Sequence, residues 1–460
     1  LALATAGSPS VRRARQGAPP VIYWYTVDAL RADTALERKA DGEPLMPNLT
    51  AFAAESVGFA RAYAQSSFTK TSTASMFTGL WPRRHGVLHG VLPVWPQGVQ
   101  LLFDLDTRFY TLAEMLRDHG YDTRTHAYSV HVQPGGGMLQ GFERVDLPSD
   151  PSADLAAEGA LFVYEHVLGL HAPYAPSAEA AAALEVPEVP GLQPADTAWF
   201  EQPLDDQQLA ALRAAYRAEG VDADGALGER FQALRDQGLW DDALIIVTSD
   251  HGDEFGEHGT TQHSVQLYDE VVRVPLFVKF PAGHRWAEQH GRMLPQRVRL
   301  VDLYPTLAEL VATGPLPYAL DGRDLGPILD GEERDPASRE VLLRASFTRA
   351  TADGELTLHT CDGVVQGDRK ALLGHRLQSS QRPDRVSYDQ GDWFAELYDL
   401  ATDPNETRDL SASRRGELLR LLETIHASGA PLVAEQAQDD SRFGLDDQVL
   451  QQLEALGYVR

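Results

Sequence analysis

The 460-residue chain has a single cysteine, Cys361, and no run of 18 apolar residues. One thiol excludes an internal disulfide and a cysteine-based metal cluster. The lack of a long apolar run predicts that no segment spans a membrane. Positive charge is also scarce, since 40 Lys and Arg stand against 67 Asp and Glu, for a formal net charge of −27. So acidic a surface repels a phosphate backbone, and nucleic-acid binding is therefore not expected.

The first residues are small, basic and proline-rich, which predicts a flexible lead-in over residues 1–19. Within it, Leu1–Gly7 fits either the end of a signal peptide or a low-complexity linker. The first alternative predicts a periplasmic or secreted location, without excluding the cytoplasm.

Strand and helix patterns alternate over residues 20–330. Continuous apolar runs predict buried strands at Val21–Val27, Leu161–Tyr164 and Ala243–Thr248. Helical periodicity marks four segments, at Pro47–Glu55, Thr111–His119, Leu204–Gly238 and Val301–Ala312. This alternation predicts an α/β fold with a mainly parallel sheet that is covered on both faces.

The pattern changes after Pro327. Short β-type runs separated by turn residues predict a small antiparallel subdomain over residues 331–412, and a helical tail is predicted over 413–460. The chain is thus divided into a lead-in, a large α/β domain, a small β subdomain and a tail.

Acidic residues and histidines follow two of the predicted strands. Asp28 ends the first, and Asp250 and His251 open a loop of three histidines and four acids within fourteen residues. Ligands of α/β sheets bind beyond the carboxyl ends of the strands. Carboxylates with an imidazole suit a divalent cation. An acidic surface loop with incidental histidines is the alternative.

A second dense region carries eight hydroxyl residues between Ser66 and Thr78. Serine and threonine cap helices well, and a helix N-terminus is also a ready anion site. By itself this segment does not identify a nucleophile.

Five motifs in order along residues 20–410 resemble the sulfatase family of the alkaline phosphatase superfamily: Val27–Asp33, Met46–Leu49, Thr78–Gly86, Thr248–Gly259 and Glu396–Pro404. The resemblance implies an alkaline-phosphatase-like α/β/α sandwich with a small C-terminal antiparallel subdomain. It also implies that residues 20–330 form the catalytic domain of a metal-assisted ester hydrolase.

In this family the nucleophile lies nine residues before the Thr of the Thr-Gly pair, which is Thr69 here. Sulfatases convert a Cys or Ser at that position to formylglycine, and threonine is not expected to undergo the conversion. The neighbouring Pro and Arg of the family motif are missing too. The chain therefore resembles members with an unmodified Thr, which include phosphodiesterases and phosphoethanolamine or glycerophosphate transferases.

The resemblance also implies a metal site with Asp28, Thr69, Asp250 and His251 as ligands. One divalent cation (Mn, Zn, Mg or Ca) is expected rather than two. The segment Glu165–His171 lacks the Asp of two-metal relatives, and Ala29 replaces the second Asp of the calcium-binding sulfatases.

The remaining implied residues contact the substrate. His171 resembles the His of the family's His-x-Pro-Tyr loop, and a buried structural histidine is the alternative. His258 and His263 are candidate proton donors to the ester. Lys70 either offsets phosphoryl charge or points to solvent. His85, in an Arg-His-Gly turn, is assigned a structural role.

The favoured hypothesis is a metal-dependent hydrolase of phosphate esters, diesters in particular, with Thr69 as nucleophile. Its partner is a small anionic ester. Sulfuric ester hydrolysis, phosphoryl transfer and a catalytically silent anion-binding relative are the alternatives. The metal identity, the leaving group and the oligomeric state stay open at this stage.

Overall fold

The computed structural model describes residues 18–87, 89–94, 98–101, 105–129, 131–132, 137–145, 155, 159–195, 204–263, 266–350, 356–376 and 392–427. Residues 1–17 of the predicted lead-in and 428–460 of the predicted tail lie outside the described residues. The four-segment division of the chain stays a prediction.

The strands are numbered in chain order: β1 (Val21–Val27), β2 (Val57–Tyr63), β3 (His89–Val94), β4 (Gly98–Leu101), β5 (Asp122–Ala127), β6 (Arg144–Val145), β7 (Leu161–Val167), β8 (Ala243–Thr248), β9 (Glu254–Phe255), β10 (Thr261–Gln262), β11 (Arg273–Val274), β12 (Leu276–Lys279), β13 (Met293–Arg299), β14 (Val341–Ala350), β15 (Leu356–Gln366), β16 (Arg369–Arg376) and β17 (Asp392–Asp399).

The α-helices are α1 (Ala32–Ala35), α2 (Pro47–Ala54), α3 (Thr69–Thr78), α4 (Pro82–His85), α5 (Leu112–Asp118), α6 (Ala178–Ala183), α7 (Asp206–Asp236), α8 (Asp269–Val272), α9 (Leu303–Leu310), α10 (Gly326–Leu329) and α11 (Arg415–Ala427). Short 3₁₀ turns lie at Arg285–Gln289 and Leu300–Asp302. Among the described residues, none of the helices combines the length and apolarity that a membrane span requires.

The larger sheet has the strand order β11-β2-β12-β8-β1-β7-β5-β6, and β13 pairs with β2. Strand β1 runs parallel to both of its neighbours, β7 and β8, while β12 and β11 run antiparallel to theirs. A buried strand in the centre of a parallel sheet needs apolar side chains on both faces. The run Val21–Val27 meets this requirement, and the predicted fold class is confirmed.

Two hydrophobic cores lie on opposite faces of this sheet. Ile22 and Trp24 of β1 pack into a core with α3, α5 and α9, whereas Tyr23 and Tyr25 pack into a second core with α2 and α7. This division follows from the alternation of side chains along a strand. The 31-residue helix α7 begins with a capping box in which Asp205 and Gln208 satisfy each other's backbone N–H groups.

The smaller sheet has the order β17-β16-β15-β14-β3-β4. Strands β14 to β17 form the antiparallel meander that the sequence predicts, and one of its faces packs against α11. Strands β3 and β4 come from the N-terminal half of the chain, however, and β3 pairs parallel to β14. The small sheet is therefore built by two distant parts of the sequence.

Candidate active site

Two carboxylates and one imidazole lie where β1 and β8 end. These strands are hydrogen-bonded neighbours with Thr26 opposite Thr248, so Asp28 leaves one strand beside Asp250 and His251, which follow the other. All three side chains are completely buried. The carboxyl edge of the sheet thus brings together residues more than 220 positions apart in the chain.

The Nε2 atom of His251 lies at the centre of this group. It is 3.5 Å from Asp28 Oδ1, 3.5 Å from Asp250 Oδ2 and 3.2 Å from Thr69 Oγ1. The opposite ring nitrogen, Nδ1, faces the carbonyl oxygen of Gly252 at 3.1 Å and donates to it. That bond leaves the lone pair of His251 on Nε2, as a metal ligand requires. The four predicted metal-binding residues therefore converge.

His166 is a fifth member that the sequence analysis did not find. It lies on β7 opposite Thr26 of β1, and its Nε2 atom is 3.3 Å from Asp28 Oδ2 and 3.7 Å from Asp250 Oδ2. Alternation along β7 places His166 and Glu165 on opposite faces of the sheet, but the sequence does not show which of these faces carries the site. Asp28, Thr69, His166, Asp250 and His251 are hereafter called the cage.

The cage contains three buried carboxylate oxygens that accept no hydrogen bond from the described residues, namely both oxygens of Asp28 and Oδ2 of Asp250. A buried polar group without a partner is costly, and more so when it is charged. Two carboxylates, two imidazoles and a hydroxyl can hold a divalent cation, which supplies the missing partner.

The charge of Asp28 is favoured by its neighbours. Burial acts to raise its pKa, but His171, His166 and His251 together hold the pKa of this carboxyl below its ordinary value. An ionised Asp28 is the form that binds a cation.

The turn after Asp28 is held in an unusual backbone conformation. Ala29 has φ +61°, its N–H donates to Asp250 Oδ1 at 3.3 Å, and its carbonyl oxygen accepts from Tyr216 Oη at 2.9 Å. The same Tyr216 hydroxyl accepts from Arg31 N at 3.0 Å. A left-handed non-glycine residue costs about 1–3 kcal/mol and persists only where the surroundings enforce it. Helix α7 thus fixes the direction of Asp28 through Tyr216.

Thr69 and Lys70 are the first two residues of α3, and all ten residues of this helix are buried. Lys70 is only 2% exposed, so the alternative that it points to solvent is wrong. The N-terminus of a helix favours negative charge because its first N–H groups lack intrahelical partners. A nucleophile placed here lies next to donors for the anion it would attack.

His171 and His263 lie beside the cage. The ring centre of His263 is 4.2 Å from that of His251 and 4.8 Å from that of His171. Nδ1 of His263 is 2.8 Å from Asp253 Oδ1. Burial acts to raise the pKa of Asp253, but His263 and the other nearby histidines hold it below its ordinary value.

With this geometry established, comparison with known proteins decides the family. The sulfatase family model matches residues 24–158 and 150–313, which is more than half of the chain. The chain belongs to the sulfatase family. Metal dependence is general in this family, in agreement with the donor set of the cage.

Two known proteins are similar to parts of the chain. Arylsulfatase K of Xenopus laevis is 28% identical over 210 residues, which are 45% of this chain and 35% of that protein. The multifunctional alkaline phosphatase superfamily protein PehA of Trinickia caryophylli is 35% identical over 133 residues, or 29% of this chain and 25% of that protein. The matched parts thus span about a third or less of these relatives.

A solved structure supports the fold over nearly the whole chain. The phosphonate monoester hydrolase of Agrobacterium radiobacter superposes with a TM-score of 0.64 and 21% identity, covering 89% of this chain and 96% of that one. This likeness shows that the chain shares the fold of that enzyme over most of its length.

The structure does not place His258 with the other predicted histidines. Its Nδ1 atom is 2.5 Å from Glu270 Oε1, its Nε2 atom is 3.2 Å from the carbonyl oxygen of Glu406, and its ring stacks on Tyr268. The reason is the hairpin of β9 and β10, which pairs Glu254 with Gln262. The hairpin brings His263 back beside Asp253 and leaves His258 near its tip. Contrary to the sequence prediction, His258 is therefore not expected to contact the ester.

Two further histidines, His131 and His85, lie outside the cage. His131 lies near His263, Lys70 and His171, and burial together with these groups lowers its pKa to about 4. His85 lies apart from the cage, with Nε2 2.9 Å from Ser75 Oγ and Nδ1 accepting from Val87 N at 3.0 Å. Its contacts fit the structural role that the sequence predicts.

Proposed function

We propose that the chain is a metal-dependent hydrolase of phosphoric esters, diesters in particular, in which Thr69 is the nucleophile. The observation that carries the proposal is the position of the Thr69 hydroxyl, 3.2 Å from His251 Nε2 and in the same buried group as three carboxylate oxygens without a donor. Likeness to PehA and to a phosphonate monoester hydrolase supports phosphorus as the reacting atom.

The proposed cofactor is one divalent cation held by the cage, with His166 as a ligand in addition to the four predicted ones. When bound, the cation stabilises the deprotonated Thr69 hydroxyl and offsets phosphoryl charge. Mn²⁺ and Zn²⁺ fit the mixed nitrogen and oxygen donors.

The proposed reaction has two displacements. Thr69 Oγ1 passes its proton to His171 or His263 and bonds to phosphorus, while the bond from phosphorus to the leaving oxygen breaks and that oxygen takes up the same proton. Water then attacks phosphorus and gives a proton to the histidine, which returns it to Thr69 Oγ1 as the bond from phosphorus to Oγ1 breaks. Lys70 and the N-terminal N–H groups of α3 stabilise the phosphoryl oxygens, a class of contact worth about 3–4 kcal/mol of barrier. His171 and His263 are the proposed proton donors.

Sulfuric ester hydrolysis is the second candidate, and the likeness to arylsulfatase K favours it. An unmodified Thr69 is the argument against it, because a sulfated threonine lacks the hemiacetal collapse that formylglycine provides. A catalytically silent anion-binding relative is less favoured, because a protein without metal-dependent chemistry does not need a buried cage of five metal-binding donors.

The test is to trap the covalent intermediate. Purified protein with Mn²⁺ or Zn²⁺ is assayed on aryl and alkyl phosphate monoesters and diesters, phosphonates and sulfates. It is then incubated with a ³²P-labelled ester, and the reaction is stopped with acid so that labelled protein can be isolated. The proposal expects label on Thr69 of the wild type, label on serine in the matched control Thr69→Ser, and none in Thr69→Ala. Faster turnover of sulfates than of every phosphorus ester supports the second candidate instead. No turnover of any ester with the cation bound refutes hydrolysis.

A further inference from the structure

Asp253 differs from the two carboxylates of the cage in how its oxygens are used. It is completely buried, its Oδ1 is 2.8 Å from His263 Nδ1, and its Oδ2 accepts a 2.7 Å hydrogen bond from the Tyr174 hydroxyl. Both oxygens therefore have a protein partner. Unlike Asp28, Asp253 needs no cation to satisfy it.

Three separate segments build this arrangement. Tyr174 belongs to the loop after β7, Asp253 follows β8, and His263 follows β10. The hairpin pairs Gln262 with Glu254, which brings the next residue, His263, back beside Asp253. The contact is thus a consequence of the hairpin register.

The surroundings of His263 place its ring at the reaction centre. The ring lies 4.2 Å from that of His251, 4.8 Å from that of His171 and 5.8 Å from that of Phe68, the residue before Thr69. A carboxylate only accepts hydrogen bonds, so Nδ1 of His263 carries a proton and Nε2 is the nitrogen left for chemistry.

We propose that Asp253, oriented by Tyr174, is a positioning residue that fixes the tautomer and direction of His263, so that Nε2 exchanges protons with the reacting ester. This inference rests on the proposed function. In the first displacement, Nε2 takes the proton of the Thr69 hydroxyl as Oγ1 bonds to phosphorus, and it passes that proton to the leaving oxygen as the bond from phosphorus to that oxygen breaks. In the second, Nε2 takes a proton from the attacking water and returns it to Thr69 Oγ1 as the bond from phosphorus to Oγ1 breaks.

The experiment compares Asp253→Asn with the wild type on phosphate esters whose leaving alcohols differ in acidity. Alkyl leaving groups need a proton, whereas 4-nitrophenolate leaves without one. General acid catalysis is typically worth 10²–10⁴-fold, so we expect kcat to fall about 100-fold for alkyl esters and less than about 10-fold for 4-nitrophenyl esters, with KM nearly constant. The double variant with His263→Ala should be no slower than His263→Ala alone.

Two controls separate positioning from damage to the fold. Tyr174→Phe keeps the bond from Asp253 to His263 and should show the same leaving-group selectivity with a smaller loss, even if Asp253→Asn folds poorly. Asp222→Asn removes an exposed carboxylate that accepts hydrogen bonds from Ser177 N and Oγ and is not a member of the cage, so it should leave kcat unchanged.

Three results overturn the inference: equal loss for all leaving groups, an additive double variant, or loss of one metal equivalent in Asp253→Asn, which would make Asp253 a ligand. If the wild type turns over no ester, the proposed function fails by itself. The tautomer is then still decided by ¹⁵N-histidine NMR, in which a protonated Nε2 and bare Nδ1 at His263 refute the role of Asp253.

Discussion

Replacing Asp28 by asparagine should remove most of the stability that the protein gains when it binds its cation. In the metal-free wild type, two fully buried carboxylates share the cage, and three of their oxygens accept no hydrogen bond from the described residues. Asparagine keeps the shape, removes one negative charge and adds an amide that can donate to Asp250 Oδ2. The variant therefore has only one of the two charged ligands of the cage, and we expect it to bind the cation more weakly.

The magnitude follows from linkage. A cation present at 100 times its dissociation constant stabilises the folded state by about 2.7 kcal/mol. If the loss of a charged ligand weakens binding about 100-fold, the same cation concentration stabilises the variant by only ~0.4 kcal/mol. The wild type should then gain about 2.3 kcal/mol more than the variant on adding metal.

Calorimetric unfolding at one scan rate, in EDTA and in excess Mn²⁺ or Zn²⁺, measures the gain in stability of each protein. Asp33→Asn is the matched control, because Asp33 pairs with Arg31 and Arg213 outside the cage and should leave the metal response intact. The reasoning is refuted if the wild-type midpoint does not respond to metal. An Asp28→Asn variant that gains as much stability from the cation as the wild type refutes it equally.

Three further outcomes are expected. His166→Ala should weaken cation binding at least tenfold in a chelator competition, and unchanged affinity would remove His166 from the cage. Burial lowers the pKa of His85 to about 3, whereas the pKa of this residue in the unfolded chain is about 6.5. Between these values the unfolded chain binds a proton that the folded chain does not, so stability falls as the pH drops from 6.5 toward 3. The loss is about 1.4 kcal/mol per pH unit well below 6.5, and His85→Asn should lack this part of the acid sensitivity in urea titrations at pH 7 and 5. Tyr216→Phe should lower the free energy of unfolding by about 1–3 kcal/mol, because Ala29 O and Arg31 N lose their hydrogen-bond partner. It should also lower kcat, and an unchanged kcat would mean that the turn holds Asp28 without this hydroxyl.

The sequence by itself determined the main sheet and part of the site. The apolar run Val21–Val27 predicts a strand buried on both faces, and the carboxyl ends of parallel strands meet at one edge. Asp28 and Asp250 were therefore expected at the same edge of the sheet, and the strand order makes them neighbours. The offset from Thr78 likewise located Thr69, because family resemblance fixes that spacing along one helix.

The tertiary structure decided which of the remaining polar residues face the cage. The pair Glu165 and His166 gives no sequence signal of which side faces the reaction centre, and the register of β7 against β1 selects His166. His258 and His263 look alike in the loop, but the hairpin register sends His263 to Asp253 and His258 to Glu270. Such choices depend on strand register, in which a shift of one residue moves every side chain to the other face. Register is fixed by contacts between segments far apart in the chain, so local sequence patterns do not contain it.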